Sequence, residues 1–281
     1  MTKNDPAQQE YEILWVRHGE SQGNVDPQAY ANDGDPQVEL TEEGWKQAVR
    51  AGRFLGAYLQ DQGIKEWPHI FLGEFIRHQQ TLSGLIQGMK DAGFEGEPEI
   101  YPDSRLNEQS FGVLPYMQGK EGDFEQLSKT YSKTVRDDAP YSARPLHGES
   151  RRDTEAFVKQ FIDGTLKRDM EEGKNPVLIV TSGAVINAAV KSWFHLPMKA
   201  WDEASLQNPG NCDIRRISGT PKDWSVTKIY DGVSGAPCHE NVIEGIERLT
   251  AATLPPVPGK ILSELRNEDP QSQGPEDFLK P

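Results

Sequence analysis

The chain has 281 residues, which suits one large α/β domain or two small ones. Apolar residues make up 35% of it, enough for a packed core, whereas a mean hydropathy of -0.69 indicates a very polar surface. Acidic residues outnumber basic ones by 44 to 30, giving a formal net charge of -14. A chain so acidic repels nucleic acid and anionic membrane, so we expect neither as a partner.

No apolar stretch approaches the ~20 residues of a membrane-spanning helix. The N-terminal residues 1–9 lack the hydrophobic segment of a signal peptide. The two cysteines, Cys212 and Cys238, do not have metal-ligand spacing, so we expect neither a disulfide framework nor a bound metal. A cytoplasmic location is therefore expected, and no cofactor is predicted.

The most informative segment is residues 13–24, which read ILWVRHGESQGN. Its apolar start, residues 13–16, predicts a short buried strand that delivers Arg17 and His18 to its carboxyl end. Ligands bind at that end of parallel strands. An arginine can hold two phosphate oxygens, and a neutral histidine can attack phosphorus. With Asn24 nearby as a further hydrogen-bonding group, the segment favours a phosphate site over a surface Arg-His pair.

Alternating strands and helices are predicted along the remaining chain. Thr41 caps a predicted helix that ends near Leu59, with acidic residues in its first turn. The later predicted elements are a strand at 69–72, a helix at 75–90, a strand at 99–101, a helix at 150–170, a strand at 177–180, a helix at 184–194 and strands near 212–218 and 224–230. This alternation predicts an α/β three-layer sandwich: a mostly parallel sheet with helices on both faces.

The domain prediction is one catalytic-type domain over residues 1–243, interrupted by an irregular, polar insertion at about 115–147 that could form a lid. From residue 244 to 281 the chain becomes rich in proline and acidic residues, which predicts a C-terminal extension. A homo-oligomer is compatible with this organisation.

Three further segments are candidates to complete the phosphate site. Arg77 follows a predicted strand end and opens a helix, where it could share an anion with the helix N-terminus. Glu108 could act as a general acid if burial raises its pKa. The turn at Ser182 and Gly183 offers backbone amides and a hydroxyl to an anion. The alternatives are a solvated arginine, an ordinary loop glutamate and a simple helix N-cap, for which serine is a favoured residue.

In this order, these residues resemble the histidine phosphatase superfamily, also called phosphoglycerate mutase-like. The matching motifs are Arg17-His18-Gly19-Glu20-Ser21 with Asn24, Leu40-Thr41 with Gly44 and Gln47-Ala48, Arg77 with Gln80-Thr81, Leu106 with Glu108 and Phe111-Gly112, and Gly148-Glu149-Ser150. The resemblance covers roughly residues 11–230. The later motifs, Trp193-Phe194-His195 and Asn208-Pro209 with Asn211-Cys212, are more similar to a phosphatase branch than to the glycolytic mutases.

The resemblance implies a role for each matching residue. His18 would be the nucleophile that transiently carries the phosphoryl group. Arg17, Arg77 and Asn24 would hold phosphate oxygens and offset the charge of the transition state. Glu108 would protonate the leaving alcohol and then deprotonate the water that releases phosphate. No metal is required.

One departure from the family pattern limits the expected activity. Relatives carry a second catalytic histidine in the turn where this chain has Ser182. Gly73 stands where a serine is common, and Asn107 where an arginine is frequent. Losing one charge-stabilising donor typically lowers the rate by ~10²–10³-fold. We therefore expect impaired rather than abolished turnover.

Another histidine could replace the missing imidazole. His147, beside the predicted lid, and His239, near the last strand, are the candidates, although both have the sequence context of surface residues. His78 and His195 are expected to be buried and structural, since each adjoins apolar or aromatic positions in a helix.

The sequence leaves three functional hypotheses. The leading one is a phosphomonoester hydrolase that forms a phosphohistidine on His18 and acts on a small phosphorylated metabolite. The second is a weak or inactive module that binds phosphate on the same fold. The third, less favoured, is a phosphoglycerate-type mutase, for which arginines near the predicted lid would have to enter the site: Arg136, Arg144, Arg151 and Arg152.

Overall fold

The computed structural model describes residues 9–117, 122–134, 141–201 and 206–246. In this part of the chain one seven-stranded sheet has the strand order β3-β2-β4-β1-β5-β6-β7. The strands are β1 Tyr11–Arg17, β2 His69–Leu72, β3 Ile100–Pro102, β4 Val177–Thr181, β5 Ile214–Thr220, β6 Asp223–Asp231 and β7 Ala236–Asn241. The helices are α1 Gln22–Val25, α2 Ala29–Asn32, α3 Glu42–Asp61, α4 Ile76–Asp91, α5 Leu114–Met117, α6 Asp123–Lys133, α7 Arg151–Phe161, α8 Lys167–Glu171 and α9 Gly183–Trp193.

Helices cover both faces of the sheet, as predicted. Side chains of β1 alternate between the faces because a strand has a period of two. Ile13 and Trp15 pack in one buried cluster that contains Phe161 of α7. Leu14 and its neighbours on the same side pack in a second cluster that contains Leu55 of α3. The predicted α/β class with layers on either side of the sheet is confirmed.

The sheet is mixed rather than mostly parallel. The pairs β1–β4, β2–β4 and β2–β3 are parallel, whereas β1–β5, β5–β6 and β6–β7 are antiparallel. The connection between β5 and β6 is too short for a crossover, because β5 ends at Thr220 and β6 begins at Asp223. A parallel connection needs a dozen or more residues, so these strands must form a hairpin.

The parallel pairing of β1 with β4 sets up the functional end of the sheet. In its register Arg17 is opposite Thr181, the last residue of each strand. The next residues, His18 and Ser182, therefore leave adjacent strands at the same level. The His18 amide donates to the Thr181 carbonyl at 2.9 Å, which ties the two strand ends together.

Two predicted helix starts are confirmed. Thr41 caps α3, accepting the Gly44 amide at 3.0 Å. Ser150 caps α7 in a reciprocal capping box with Asp153. Each cap satisfies an amide that the first helical turn cannot pair internally.

The predicted lid is more regular than its sequence suggested. The irregular stretch expected over 115–147 contains the helix α6, and α5 overlaps its start. Residues 118–121 and 135–140, which include Arg136, lie outside the described residues. So does the predicted C-terminal extension from residue 247 onwards, and the domain boundary stays a prediction. Within the described residues, none of the helices is long and apolar enough to cross a membrane.

Candidate active site

His18 lies at the carboxyl end of β1 and is 2% exposed. Its Nδ1 is 2.8 Å from the Gly19 carbonyl, which can only accept, so Nδ1 carries the proton and Nε2 carries the lone pair. Burial lowers the pKa of His18 well below its usual value, and the nearby Arg77 and Arg17 guanidinium groups lower it further. The imidazole is therefore neutral at physiological pH, with Nε2 as its nucleophilic atom.

Arg17 is the last residue of β1 and directly precedes His18. Its Nη1 donates to the Pro209 carbonyl at 2.6 Å, which fixes the guanidinium. Burial lowers the pKa of Arg17, while the negative charge of Glu108 acts in the opposite direction. A Cβ added to Gly183 would lie 3.6 Å from the Arg17 side chain, so the first residue of α9 packs beside it.

Arg77, in the first turn of α4, is 1% exposed. Its Nη1 donates to the Asp35 carbonyl at 2.7 Å and lies 2.8 Å from Asp35 Oδ1. The guanidinium stacks over the Phe75 ring, 4.8 Å from the ring centroid. Within the described residues, Nε of Arg77 and Nε of Arg17 are buried without a hydrogen-bond partner. The site therefore holds two buried guanidinium donors that an anion could satisfy.

Glu108 belongs to the same electrostatic cluster. Burial raises its pKa, the Arg77 and Arg17 charges oppose that rise, and the Asp35 carboxylate adds to it. Its Oε1 accepts the Gln109 amide at 3.0 Å. The balance keeps a proton on this carboxyl to higher pH than on an ordinary glutamate, as a general acid requires.

Ser182 occupies the N-cap position of α9, but its side chain does not cap the helix. Instead its Oγ lies 2.7 Å from Nε2 of His78, and both residues are fully buried. The His78 ring centroid is 5.7 Å from that of His18. The simple N-cap interpretation of Ser182 is therefore wrong, and His78 belongs to the site.

Neighbouring motif residues hold the site together through their side chains. Thr81 Oγ1 accepts the Gly19 amide at 3.0 Å and donates to the Arg77 carbonyl at 2.6 Å. It thereby links the histidine loop to the arginine helix. Asn24 accepts from Ser21 and, at 3.0 Å, from Asn211, so its carboxamide oxygen orders the loop after His18.

The sequence reasoning found four of the converging groups and missed two. The structure brings four of the predicted residues near one another, because Arg77 and Arg17 each act on the pKa of His18 and on that of Glu108. Asp35 had no signal beyond a Gly-Asp-Pro turn. His78 had one, because it directly follows Arg77, but it was expected to be structural.

The other histidines do not replace an imidazole of the site. His147 and His239 are exposed, and none of the contacts found in the described residues links them to His18. His195 was expected to be buried and is instead exposed, with a positive φ of 51° just beyond the end of α9.

Among the residues that the structure describes, there is no group of three or more His, Cys, Asp or Glu side chains that could hold a metal ion.

Comparison with known proteins agrees with this geometry. Residues 13–232 match the histidine phosphatase superfamily (branch 1), and the chain belongs to that superfamily. Phosphoglycerate mutase-like protein AT74 of Arabidopsis thaliana is 30% identical over 226 residues, covering 76% of this chain and 67% of the relative.

Two solved structures share the fold. A mycobacterial glucosyl-3-phosphoglycerate phosphatase has a TM-score of 0.56 and 23% identity, covering 78% of this chain and 97% of its own. A phosphoglycerate mutase from Bacillus anthracis has a TM-score of 0.57 and 14% identity, covering 82% and 97%. The superfamily membership and these similarities support an enzyme of the phosphatase or mutase type.

Proposed function

We propose that this protein is a phosphomonoester hydrolase that works through a phosphohistidine intermediate on Nε2 of His18. The observation that carries the proposal is the convergence of a buried neutral imidazole, two guanidinium groups with buried Nε atoms and a carboxyl of raised pKa. Those groups supply a nucleophile, charge stabilisation and an acid, which phosphoryl transfer from an ester needs.

In the first step the lone pair of His18 Nε2 forms a bond to phosphorus. The bond from phosphorus to the alcohol oxygen breaks, and the proton of Glu108 moves to that oxygen. Arg17 and Arg77 bind the equatorial phosphoryl oxygens through donors that include their buried Nε–H groups. These charges favour the transition state because they are already oriented and largely free of water.

In the second step a water oxygen attacks phosphorus. Glu108, now a carboxylate, takes a proton from that water, the P–N bond breaks and its electron pair returns to Nε2. Inorganic phosphate leaves, and both His18 and Glu108 regain their initial protonation states. The loop contacts of Asn24 use its side-chain oxygen. Its amide NH₂ group is a further donor to the phosphate.

The substrate class that we propose is a small phosphorylated metabolite. A mutase would need additional cations in the site for a second acidic group. Arg144, one of the arginines that could serve, is already paired with Asp153 at 2.5 Å. Hydrolysis is therefore preferred over transfer within one molecule.

A phosphate-binding module without turnover is favoured by Ser182, which stands where the family resemblance implies a second catalytic histidine. The Asp35 carboxylate pairs with Arg77, so an incoming phosphate must compete with it whichever function holds. The two functions differ in what His18 does, because only the hydrolase needs a phosphorylated His18.

The test uses 4-nitrophenyl phosphate with the full chain and His18→Ala at mildly acidic to neutral pH. We expect turnover that His18→Ala abolishes, and an acid-labile phosphoryl label on the wild-type protein after rapid quenching. Equal turnover by the two proteins would reject the hydrolase. Phosphate binding by calorimetry without any turnover or label would favour the binding module.

A further inference from the structure

The feature that the proposed reaction does not yet use is the contact between Ser182 and His78. Ser182 Oγ and His78 Nε2 are 2.7 Å apart in the fully buried interior. Ser182 leaves β4 at the level at which His18 leaves β1, so the pair lies beside the nucleophile. The His78 ring centroid is 5.7 Å from that of His18.

Neighbouring residues pack closely around the His78 ring. A Cβ on Gly73 would be 2.4 Å from His78 Nδ1, which is closer than real atoms approach, so a larger residue at position 73 would displace the ring. The opposite side is closed by Phe75, whose ring is stacked on that of His78 at 5.6 Å and an interplanar angle of 4°. The small side chain at 182 leaves room for the imidazole.

These contacts determine which atom of the pair can meet a ligand. Nε2 of His78 is engaged with Ser182, and Nδ1 lies against Gly73. His78 therefore presents neither nitrogen to a phosphoryl group. The serine hydroxyl, in contrast, has one proton and two acceptor positions, so it can contact His78 and a phosphoryl oxygen together.

The chemistry fixes the direction of those hydrogen bonds when phosphate is bound. A phosphoryl oxygen only accepts, so the single hydroxyl proton of Ser182 must point to it. The lone pair of Oγ that faces His78 then needs a donor, which Nε2–H provides. The resulting arrangement is Nε2–H···Oγ–H···O–P, in which each bond polarises the next.

We propose that His78 is a positioning residue for phosphoryl transfer: it donates Nε2–H to Ser182 and so aims the Ser182 hydroxyl at the phosphoryl group. The imidazole thus acts from α4 through the serine rather than from the turn after β4. This inference rests on the proposed phosphoryl-transfer site. It explains three residues together, because Gly73 leaves space for the His78 ring and His78 orients the Ser182 hydroxyl.

Two substitutions at position 78 give a matched test, because both replace the ring by a smaller neutral amide. The amide nitrogen of His78→Gln reaches the position of Nε2, whereas that of His78→Asn is too short to reach Ser182. We expect kcat with 4-nitrophenyl phosphate to fall less than ~3-fold for the Gln variant and ~10–100-fold for the Asn variant, the effect of losing about one oriented donor.

A double-variant cycle separates positioning from a structural effect. Ser182→Ala should lower kcat as much as His78→Asn, and the variant carrying both should be no slower than Ser182→Ala alone. kcat should fall more than KM rises, because the aimed hydroxyl contacts bound phosphate and stabilises the transition state more strongly still. Additive losses, or equal activities of the Gln and Asn variants, would overturn the inference.

Calorimetric measurement of inorganic phosphate binding to the same variants distinguishes failure of the hydrolase proposal from failure of the His78 proposal. If His18→Ala equals the wild type in turnover, the hydrolase fails, but the aimed hydroxyl still predicts tighter phosphate binding by the Gln than by the Asn variant. Equal phosphate affinities would then reject the role of His78 itself. Thermal unfolding of each variant checks that its fold is retained.

Discussion

Asp35 Oδ1 lies 2.8 Å from Nη1 of Arg77, so the buried cation of the candidate active site is already paired with a carboxylate. Burial raises the pKa of Asp35, and the Arg77 charge opposes that rise. In the proposed reaction the phosphate binds the same guanidinium, so we expect Asp35 to compete with it.

Replacing Asp35 by Asn should strengthen phosphate binding. The amide no longer neutralises Arg77, and we expect the phosphate Kd to fall about 10-fold, or roughly 1.4 kcal/mol. The measurement is calorimetry at fixed ionic strength. The ligand-free protein should lose ~1–3 kcal/mol of stability, because a buried cation loses its partner, and added phosphate should restore it. An unchanged Kd would show that Asp35 does not compete.

The pKa directions of His18 and Glu108 predict that activity is highest between the lowered pKa of His18 and the raised pKa of Glu108. The reaction needs unprotonated His18, and its lowered pKa keeps it so well into the acidic range. It also needs protonated Glu108, whose raised pKa keeps its proton to higher pH than usual. For an alkyl phosphate, kcat/KM should therefore fall as the pH rises through the Glu108 pKa. A rate that climbs steadily from acidic to alkaline pH would contradict these assignments.

Glu108→Gln should affect substrates according to their leaving groups. An alkyl alcohol needs protonation as it leaves, whereas 4-nitrophenolate leaves readily without it. We expect a loss of ~10²–10⁴-fold in the first step for an alkyl phosphate and a much smaller one for the aryl ester, measured by single-turnover kinetics. Equal losses for both substrates would mean that Glu108 does not protonate the leaving oxygen.

Gly44 controls the backbone approach between α3 and the histidine loop. A Cβ at this position would lie 2.0 Å from the Glu20 carbonyl oxygen. Gly44→Ala should therefore destabilise the protein by ~1–3 kcal/mol in urea unfolding and lower activity as well. Gly164→Ala is the control, because a Cβ there meets nothing within 4 Å. Similar stabilities of the two variants would refute this interpretation.

Thr81 joins the loop of His18 to the helix of Arg77 by two hydrogen bonds. Thr81→Val keeps the shape and removes both, so we expect a loss of ~1–3 kcal/mol in stability and about 10-fold in kcat. Thr130→Val is a matched control, since Thr130 bonds a carbonyl four residues earlier on the exposed face of α6. If kcat is the same for both variants, Thr81 does not align the site.

The sequence predicted the framework of the site because strand ends and short motifs are local signals. Arg17 and His18 follow an apolar run, and Arg77 opens a helix just after another strand, so the topology alone brings them to one edge of the sheet. The partners of Arg77 and Ser182 were not predictable in this way. Asp35 arrives from a turn after α2, and His78 reaches Ser182 across 104 positions in the chain.

The burial of individual histidines was also hard to read from local context. His78 has Phe75 and Ile76 within three residues and His195 adjoins Phe194 and Leu196, yet the first histidine is fully buried and the second exposed. The two histidines differ in their position relative to a helix: His78 lies in the first turn of α4, whereas His195 follows the end of α9. Hydrophobic neighbours in sequence do not specify which face a side chain takes.

The strand order predicts which backbone amides become accessible through local unfolding. β1 and β4 occupy the middle of the sheet, whereas the outermost strands β3 and β7 are largely exposed. Backbone amides at the sheet margins should exchange with deuterium through small local openings, while those of β1 and β4 should exchange only when the whole sheet comes apart. Arg17, His18 and Ser182 are attached to the two strands expected to exchange most slowly, so fraying at either margin should leave these three residues in register.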